Sequence, residues 1–199
     1  MSSIPTLADV PAEDLNRWFD ERFAEKMAAR QAAHTPSMTI IATKGTLDMA
    51  YPPFILASTA AALGWDVSIF FTFYGLSLLK KDMDLKVTPL GNPAMSMKMP
   101  DGPFKGKELP IPTSVMSLMP GFQNLATHMM RKTMDAKGIA RIDELRELCI
   151  EAEVKLVACQ MTVDLFQVNK DEFIPDIEQW VGAASFLPRA LEADINLFI

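Results

Sequence analysis

The chain has 199 residues, enough for one domain of ordinary size with an additional segment. Its net charge is −6, so it lacks the basic excess that contacts with nucleic-acid phosphates require. Two cysteines cannot build a disulfide framework, and no apolar run approaches the ~18 residues that a membrane span needs. The N terminus also lacks the pattern of a signal peptide. We therefore expect a soluble cytoplasmic protein that binds no nucleic acid.

Residues 1–36 are predicted to form an N-terminal amphipathic helix and a linker. Pro11 and the acidic residues after it are typical of a helix start. Five apolar side chains then follow at helical spacing and predict one apolar stripe, namely Leu15, Trp18, Phe19, Phe23 and Met27. The stripe should cover the main domain or a neighbouring subunit. A membrane surface fits less well, because the polar face is mixed in charge rather than basic.

Residues 37–199 are predicted to form an α/β domain that begins with a βαβ unit. A strand over 38–43, a helix over 50–63 that Gly64 ends, and a strand over 67–73 complete that unit. The loop at Lys44-Gly45-Thr46 could meet an anion at the helix start. It lacks the spacing of a Walker motif, and a plain turn is the favoured interpretation.

A short helix over 74–79 precedes a Pro- and Met-rich insertion around 86–121. Its prolines prevent continuous regular structure, and loops of this length inside a domain are usually functional. Methionines alternate at Met95, Met97 and Met99, which raises the possibility of a copper site. Ordinary packing is favoured because no Cys or His stands nearby.

The second half of the chain is predicted to contain three more helices and two strands. The first helix is expected to begin after Pro120-Gly121 and to stop near Lys137-Gly138, and the others are expected over 142–152 and 181–192. A polar connection over 170–180 and a final strand over 195–199 complete the chain. Cys149 falls on the apolar face of the second of these helices, which indicates a structural role. His128 has no partner nearby in sequence and is weak evidence for catalysis.

The remaining strand, over 154–158, ends at Cys159, and a short helix is predicted to start there. Ligands collect at the carboxyl ends of parallel strands, and N–H groups at a helix start favour a thiolate. The alternative is that Cys159 is a small buried hydrophobic residue. Position alone favours neither interpretation. The reactive one requires that the sulfur be reachable from solvent.

The segment Lys155 to Asp164, KLVACQMTVD, resembles the cysteine motif of the DsrE/DsrF-like family, and in particular of its larger DsrE-like subgroup. Other segments resemble that subgroup in the same order. They are TKGTLD at 43–48, LGNPAM at 90–95, HMMRKTM at 128–134 and GAASFL at 182–187. The resemblance covers roughly residues 38–199.

The resemblance implies a flavodoxin-like, open and mainly parallel sheet flanked by helices. It also implies that Cys159 carries sulfane sulfur as a persulfide, whereas Cys149 lies outside the motif. Partners would be TusA-like sulfur carriers and rhodanese-like sulfurtransferases, and the protein would form homo- or hetero-oligomers. No cofactor or metal is expected. The peroxiredoxin label used for some relatives does not carry over, because no peroxidatic motif is present.

Three functions follow from these observations. The first is a persulfide carrier or sulfurtransferase in dissimilatory sulfur metabolism, with Lys44 and Gln160 as candidates for stabilising the Cys159 thiolate. The second is a non-catalytic scaffold or regulatory subunit. The third is a flavin- or nucleotide-binding protein with its site where the strand order reverses, which rests on fold analogy alone.

Overall fold

A computed structural model describes residues 11–88, 103, 105–106 and 120–199. It divides into two compact units, the first ending at Thr35 and the second beginning at Pro36. The methionines at positions 95, 97 and 99 and most of the predicted insertion lie outside the described residues. In the part of the chain that is described, no helix is both long and apolar enough to cross a bilayer.

The first unit contains helix α1 (Ala12–Ala33), with Pro11 at its N-cap. The predicted helix is thereby confirmed. No residue of α1 is buried, and the five side chains of the apolar stripe are between 38% and 58% exposed. The rings of Phe19 and Phe23 stack with centroids 5.9 Å apart. What covers this stripe stays a prediction.

The second unit alternates strands and helices, as the sequence predicts. Its elements are β1 (Ser37–Ala42), α2 (Leu47–Ala62), β2 (Asp66–Phe71), a 3-10 helix (Phe73–Leu79), α3 (Phe122–Ala136), α4 (Ile142–Glu151), β3 (Lys155–Cys159), α5 (Gln160–Phe166), a 3-10 turn (Lys170–Glu172), β4 (Ile177–Val181), α6 (Ala183–Glu192) and β5 (Ile195–Phe198). Gly64 and Gly138 follow α2 and α3 with φ of 82° and 65°, left-handed conformations that glycine adopts without strain.

The strands form a five-stranded sheet in the order β4-β3-β2-β1-β5, and every pairing is parallel. The predicted open parallel sheet flanked by helices is confirmed. Its strand order differs from the 2-1-3-4-5 order of flavodoxin. Here the order reverses at β1, which pairs with β2 on one side and β5 on the other. Cys159 ends β3 and therefore lies away from that reversal.

The predicted polar connection over 170–180 is wrong in its last part, because residues 177–181 form strand β4. The error has a physical cause. β4 is an edge strand, and its adjacent residues Glu178 and Gln179 are exposed, so the segment lacks the alternation of a half-buried strand. Pro175 before it also signals a loop.

Two hydrophobic clusters cover the two faces of the sheet. The larger joins β1, β2 and β3 to α2 and α4, and it includes Ile40, Phe54, Phe71, Leu145 and Cys149. The smaller lies on the opposite face and consists of Phe70, Val157, Cys159 and Phe186, the last from α6. Because alternate residues of a strand point to opposite faces, Ala158 belongs to the first cluster and Cys159 to the second.

At the carboxyl edge of the sheet, two glycines allow the loops after β1 and β2 to touch. A Cβ on Gly75 would lie 2.2 Å from the carbonyl oxygen of Ala42. A Cβ on Gly45 would lie 2.1 Å from Ser77 Oγ and 2.2 Å from the carbonyl oxygen of Tyr74. Only a residue without a side chain fits at either position, so the loop that carries Lys44 packs closely against the 3-10 helix after β2.

Candidate functional site

Cys159 is the last residue of β3 and the N-cap of α5, as the sequence predicts. It pairs with Val181 of β4 in the sheet register. Its neighbours in the smaller cluster are Phe70, Val157 and Phe186, and the rings of Phe70 and Phe186 stack with centroids 4.7 Å apart. The thiol therefore lies between the sheet and α6, at the beginning of a helix.

The expectation that the Cys159 sulfur is reachable from solvent is not met in this conformation. The residue keeps only 2% of its surface exposed. The cause is tertiary, since Cys159 faces the side of the sheet on which Phe186 of α6 packs. Sulfur chemistry at this position therefore needs local opening.

The surroundings of the thiol nevertheless favour its ionised form. Burial raises the pKa of Cys159, because it disfavours a charge. The hydroxyls of Thr162 and Thr72 and the backbone N–H groups of Thr162 and Met161 act in the opposite direction and outweigh it, so the pKa is lowered overall. The buried sulfur is thus surrounded in part by hydrogen-bond donors.

Thr162 and Thr72 form a polar pair beside the sulfur. Thr162 is fully buried, and its Oγ1 lies 3.3 Å from Oγ1 of Thr72. The backbone N–H of Phe73 donates to Thr162 Oγ1 at 3.0 Å. Phe73 has a φ of 48°, which is rare and strained for an aromatic residue. This strain lies directly beside the candidate site.

The sequence analysis missed both threonines. Thr162 could have been found, because a residue three positions after an N-cap presents its N–H to the capping side chain. Thr72 follows β2 and lies ninety positions before Thr162 in the chain, so no local pattern associates it with Cys159.

The two candidate anion-stabilising residues lie at different places. Lys44 is exposed and follows β1, which is separated from β3 by β2. Among the described residues, the groups that lower the pKa of Cys159 belong to Thr72, Met161 and Thr162 rather than to Lys44. Gln160 adjoins the cysteine, but its Nε2 donates to Asp164 Oδ1 at 2.7 Å. A role for Lys44 or Gln160 stays a prediction.

Cys149 lies on the other side of the sheet, within the larger cluster. It is fully buried, and its Sγ donates to the carbonyl oxygen of Phe54 at 3.6 Å. Burial raises the pKa of Cys149 to about 12, so the thiol is neutral at ordinary pH. The predicted core-facing direction is confirmed. The two cysteines are unpaired, and the sheet lies between them.

Apolar side chains are exposed around the start of α5 and the 3-10 helix. Their exposed fractions are between 43% and 70%, and they are Phe73, Tyr74, Met161, Leu165 and Phe166. The rings of Tyr74 and Phe166 stack with centroids 5.8 Å apart beside a cavity of about 310 Å³. Exposed apolar patches of this kind mark contact sites for other molecules.

Nothing in the described ranges groups three or more His, Cys, Asp or Glu side chains in a way that could hold a metal ion. His128 is exposed on α3. The groups around Cys159 supply the chemistry of a thiolate assisted by hydroxyl and N–H groups.

Comparison with known proteins identifies the family. A model of the DsrE/DsrF/DrsH-like family matches residues 34–198. The sulfur carrier protein DsrE2 of Allochromatium vinosum is 59% identical over 162 residues, which cover 81% of this chain and 97% of that protein. The uncharacterized protein YrkE of Bacillus subtilis is 32% identical over 166 residues, or 83% of this chain and 98% of its own length. The chain belongs to the DsrE/DsrF/DrsH-like family.

Proposed function

We propose that the protein is a sulfur carrier that holds sulfane sulfur as a persulfide on Cys159. The observation that carries the proposal is the placement of this thiol at an N-cap, beside Thr162 and Thr72, where its pKa is lowered despite burial. The name of the Allochromatium protein supports the same role, since the two chains match over most of their length.

In the proposed step, the Cys159 thiolate attacks the outer sulfur of a donor persulfide. A bond forms between that outer sulfur and Cys159 Sγ, and the sulfur–sulfur bond of the donor breaks. The inner sulfur of the donor then leaves as a thiolate. Release to an acceptor is the same exchange in the opposite direction, with the acceptor thiolate as nucleophile. No external oxidant or reductant is consumed.

The exchange requires local opening around Cys159. Two features favour an opening where Phe73, between β2 and the rest of the 3-10 helix, contacts α5 through Thr162. Phe73 is 45% exposed and has a strained backbone, and helix α5 has only seven residues. Short elements at an exposed edge open at a lower free energy than the core does. Movement here, together with a displacement of Phe186 on α6, would expose the sulfur.

We propose TusA-like carriers and rhodanese-like sulfurtransferases of the cytoplasm as the donor and acceptor. The exposed apolar side chains around the start of α5 suit a protein partner better than a small polar donor. Homo-oligomers are proposed as well, because Leu187, Leu191 and Phe198 are 57%, 88% and 75% exposed on α6 and β5.

The test is sulfur loading followed by mass spectrometry of the intact chain and of its peptides. After incubation with a persulfide donor protein, the wild type should gain units of about 32 Da on the peptide that contains Cys159. Cys159→Ser should lose the added mass, whereas Cys149→Ser should retain it. No loading of the wild type, or equal loading of Cys159→Ser, would contradict the proposal.

A non-catalytic subunit is the second candidate, and the 2% exposure of Cys159 favours it. In that case the wild type would assemble into a defined oligomer, Cys159→Ser would assemble equally well, and neither would take up sulfur. Chromatography with light scattering, performed on the samples used for mass spectrometry, distinguishes the two functions.

A further inference from the structure

A cavity of about 350 Å³ lies on the face of the sheet covered by α2 and α4. Leu47 and Ile142, the first residues of these two helices, both line it. Its volume is within the range of sites for small organic ligands. Because α2 starts where β1 ends, the cavity lies at the carboxyl edge of the sheet, where ligands of parallel α/β proteins bind. Cys159 belongs to the opposite face.

The most informative residue of the cavity is Arg146 on α4. It is 5% exposed, and its Nη1 donates to the carbonyl oxygens of Leu78 and Lys80 at 3.1 and 2.7 Å. Its Nε is buried without a hydrogen-bond partner among the described residues. No carboxylate in that part of the chain forms a salt bridge with it. The carboxylates of Glu147, Asp143 and Asp176 attract the Arg146 charge from beyond salt-bridge distance. A buried cation with an unused donor and no salt-bridge partner is costly, and it indicates a site for an anion.

Two further cations at the cavity are also held by carbonyl groups. Arg131 Nη2 donates to the carbonyl oxygen of Leu85 at 2.9 Å, and Lys81 Nζ donates to that of Asp171 at 2.8 Å. Such contacts orient the side chains without neutralising them. Among the described residues, four basic and three acidic side chains line the cavity, namely Lys81, Arg131, Arg141 and Arg146 with Asp82, Asp135 and Asp143. Asp143 pairs with Arg141 at 3.1 Å, which leaves three basic and two acidic side chains outside that pair.

We propose that this cavity binds a small organic anion. A carboxylate or phosphate head would contact Arg146 and Arg131, because guanidinium groups suit both heads in a bidentate geometry. An apolar body would lie against Leu47, Met134 and Ile142, which line the same space. The site is separate from the proposed sulfur chemistry and does not depend on it.

The test is saturation-transfer NMR on the full chain with hexanoate, hexyl phosphate and hexan-1-ol, in sodium chloride at constant ionic strength. At least one of the two anions should bind about tenfold more tightly than the alcohol, and the tighter one identifies the preferred head group. Arg131→Gln should lower the affinity for that anion about tenfold, which is the effect of losing one hydrogen bond to a charged group. The affinity for hexan-1-ol should not change.

Lys137→Gln is the matched control, since Lys137 caps the C terminus of α3 and does not line the cavity. It should bind like the wild type. Arg146→Lys keeps the positive charge but removes the unused Nε donor, so it should also lower the affinity for the anion. Its far-UV circular dichroism spectrum should be that of a folded chain. The proposal is overturned if both anions bind no better than hexan-1-ol, or if Arg131→Gln binds them as the wild type does. Sulfur loading of Cys159 should be unchanged in Arg131→Gln.

Discussion

Replacing Thr162 by valine tests directly how the protein controls the Cys159 thiol. The substitution exchanges a hydroxyl for a methyl group of similar size at a fully buried position. It removes one of the groups that lower the pKa of Cys159, so that pKa should rise. A hydrogen bond to a charged group contributes about 1.5–3 kcal/mol. The rate of thiolate alkylation near neutral pH should therefore fall about tenfold or more.

The same substitution should also lower the free energy of unfolding. The Phe73 N–H, which donates to Thr162 Oγ1 at 3.0 Å, loses its acceptor. Leaving such a group unpaired costs about 1–3 kcal/mol. Since folding lowers the pKa of Cys159, its thiolate stabilises the wild type above the unfolded pKa. That contribution is lost as the pH falls through the folded pKa.

The assay is alkylation by iodoacetamide between about pH 5 and pH 9, with peptide mass spectrometry to separate Cys159 from Cys149. Thr162→Ser retains the hydroxyl and should keep the midpoint of the wild-type pH profile. If Thr162→Val has that same midpoint, the hydroxyl does not stabilise the thiolate, and the electrostatic part of the reasoning is refuted.

Three further predictions concern the scaffold. The pKa of Cys149 is raised to about 12, so above about pH 9 the unfolded chain releases a thiol proton that the folded chain keeps. In urea denaturation, the free energy of unfolding should therefore fall with pH by about 1.4 kcal/mol per pH unit more in the wild type than in Cys149→Ala. Equal slopes in the two proteins would contradict this. Gly75→Ala should lower the free energy of unfolding by about 1–3 kcal/mol, because the added Cβ would meet the Ala42 carbonyl oxygen. The control Gly182→Ala has open space for its Cβ and should change the free energy of unfolding by less than about 1 kcal/mol. Leu191→Glu should reduce the mass seen by light scattering towards the 22.1 kDa of a single chain, and a wild type that is already monomeric would remove the basis for this prediction.

Elements with strong local signals were predictable from the sequence. The apolar runs of β1, β2 and β3 and the glycines that end α2 and α3 place these elements within a few residues. β4 was not predictable in this way, because its exposed edge position permits adjacent polar residues such as Glu178 and Gln179. Its identity as a strand depends on pairing with β3, which is a contact rather than a local pattern.

The sequence by itself determined the placement of Cys159 at the junction of β3 and α5, with Thr162 three positions further along. These relations are local, because the end of a strand and the first turn of a helix involve neighbouring residues. Only the tertiary structure decided that Thr72 joins the site, that Phe186 covers the sulfur and that Cys149 lies on the other face of the sheet. Parallel pairing and helix packing bring together residues that are far apart in the chain. Burial and pKa depend on those neighbours rather than on the motif.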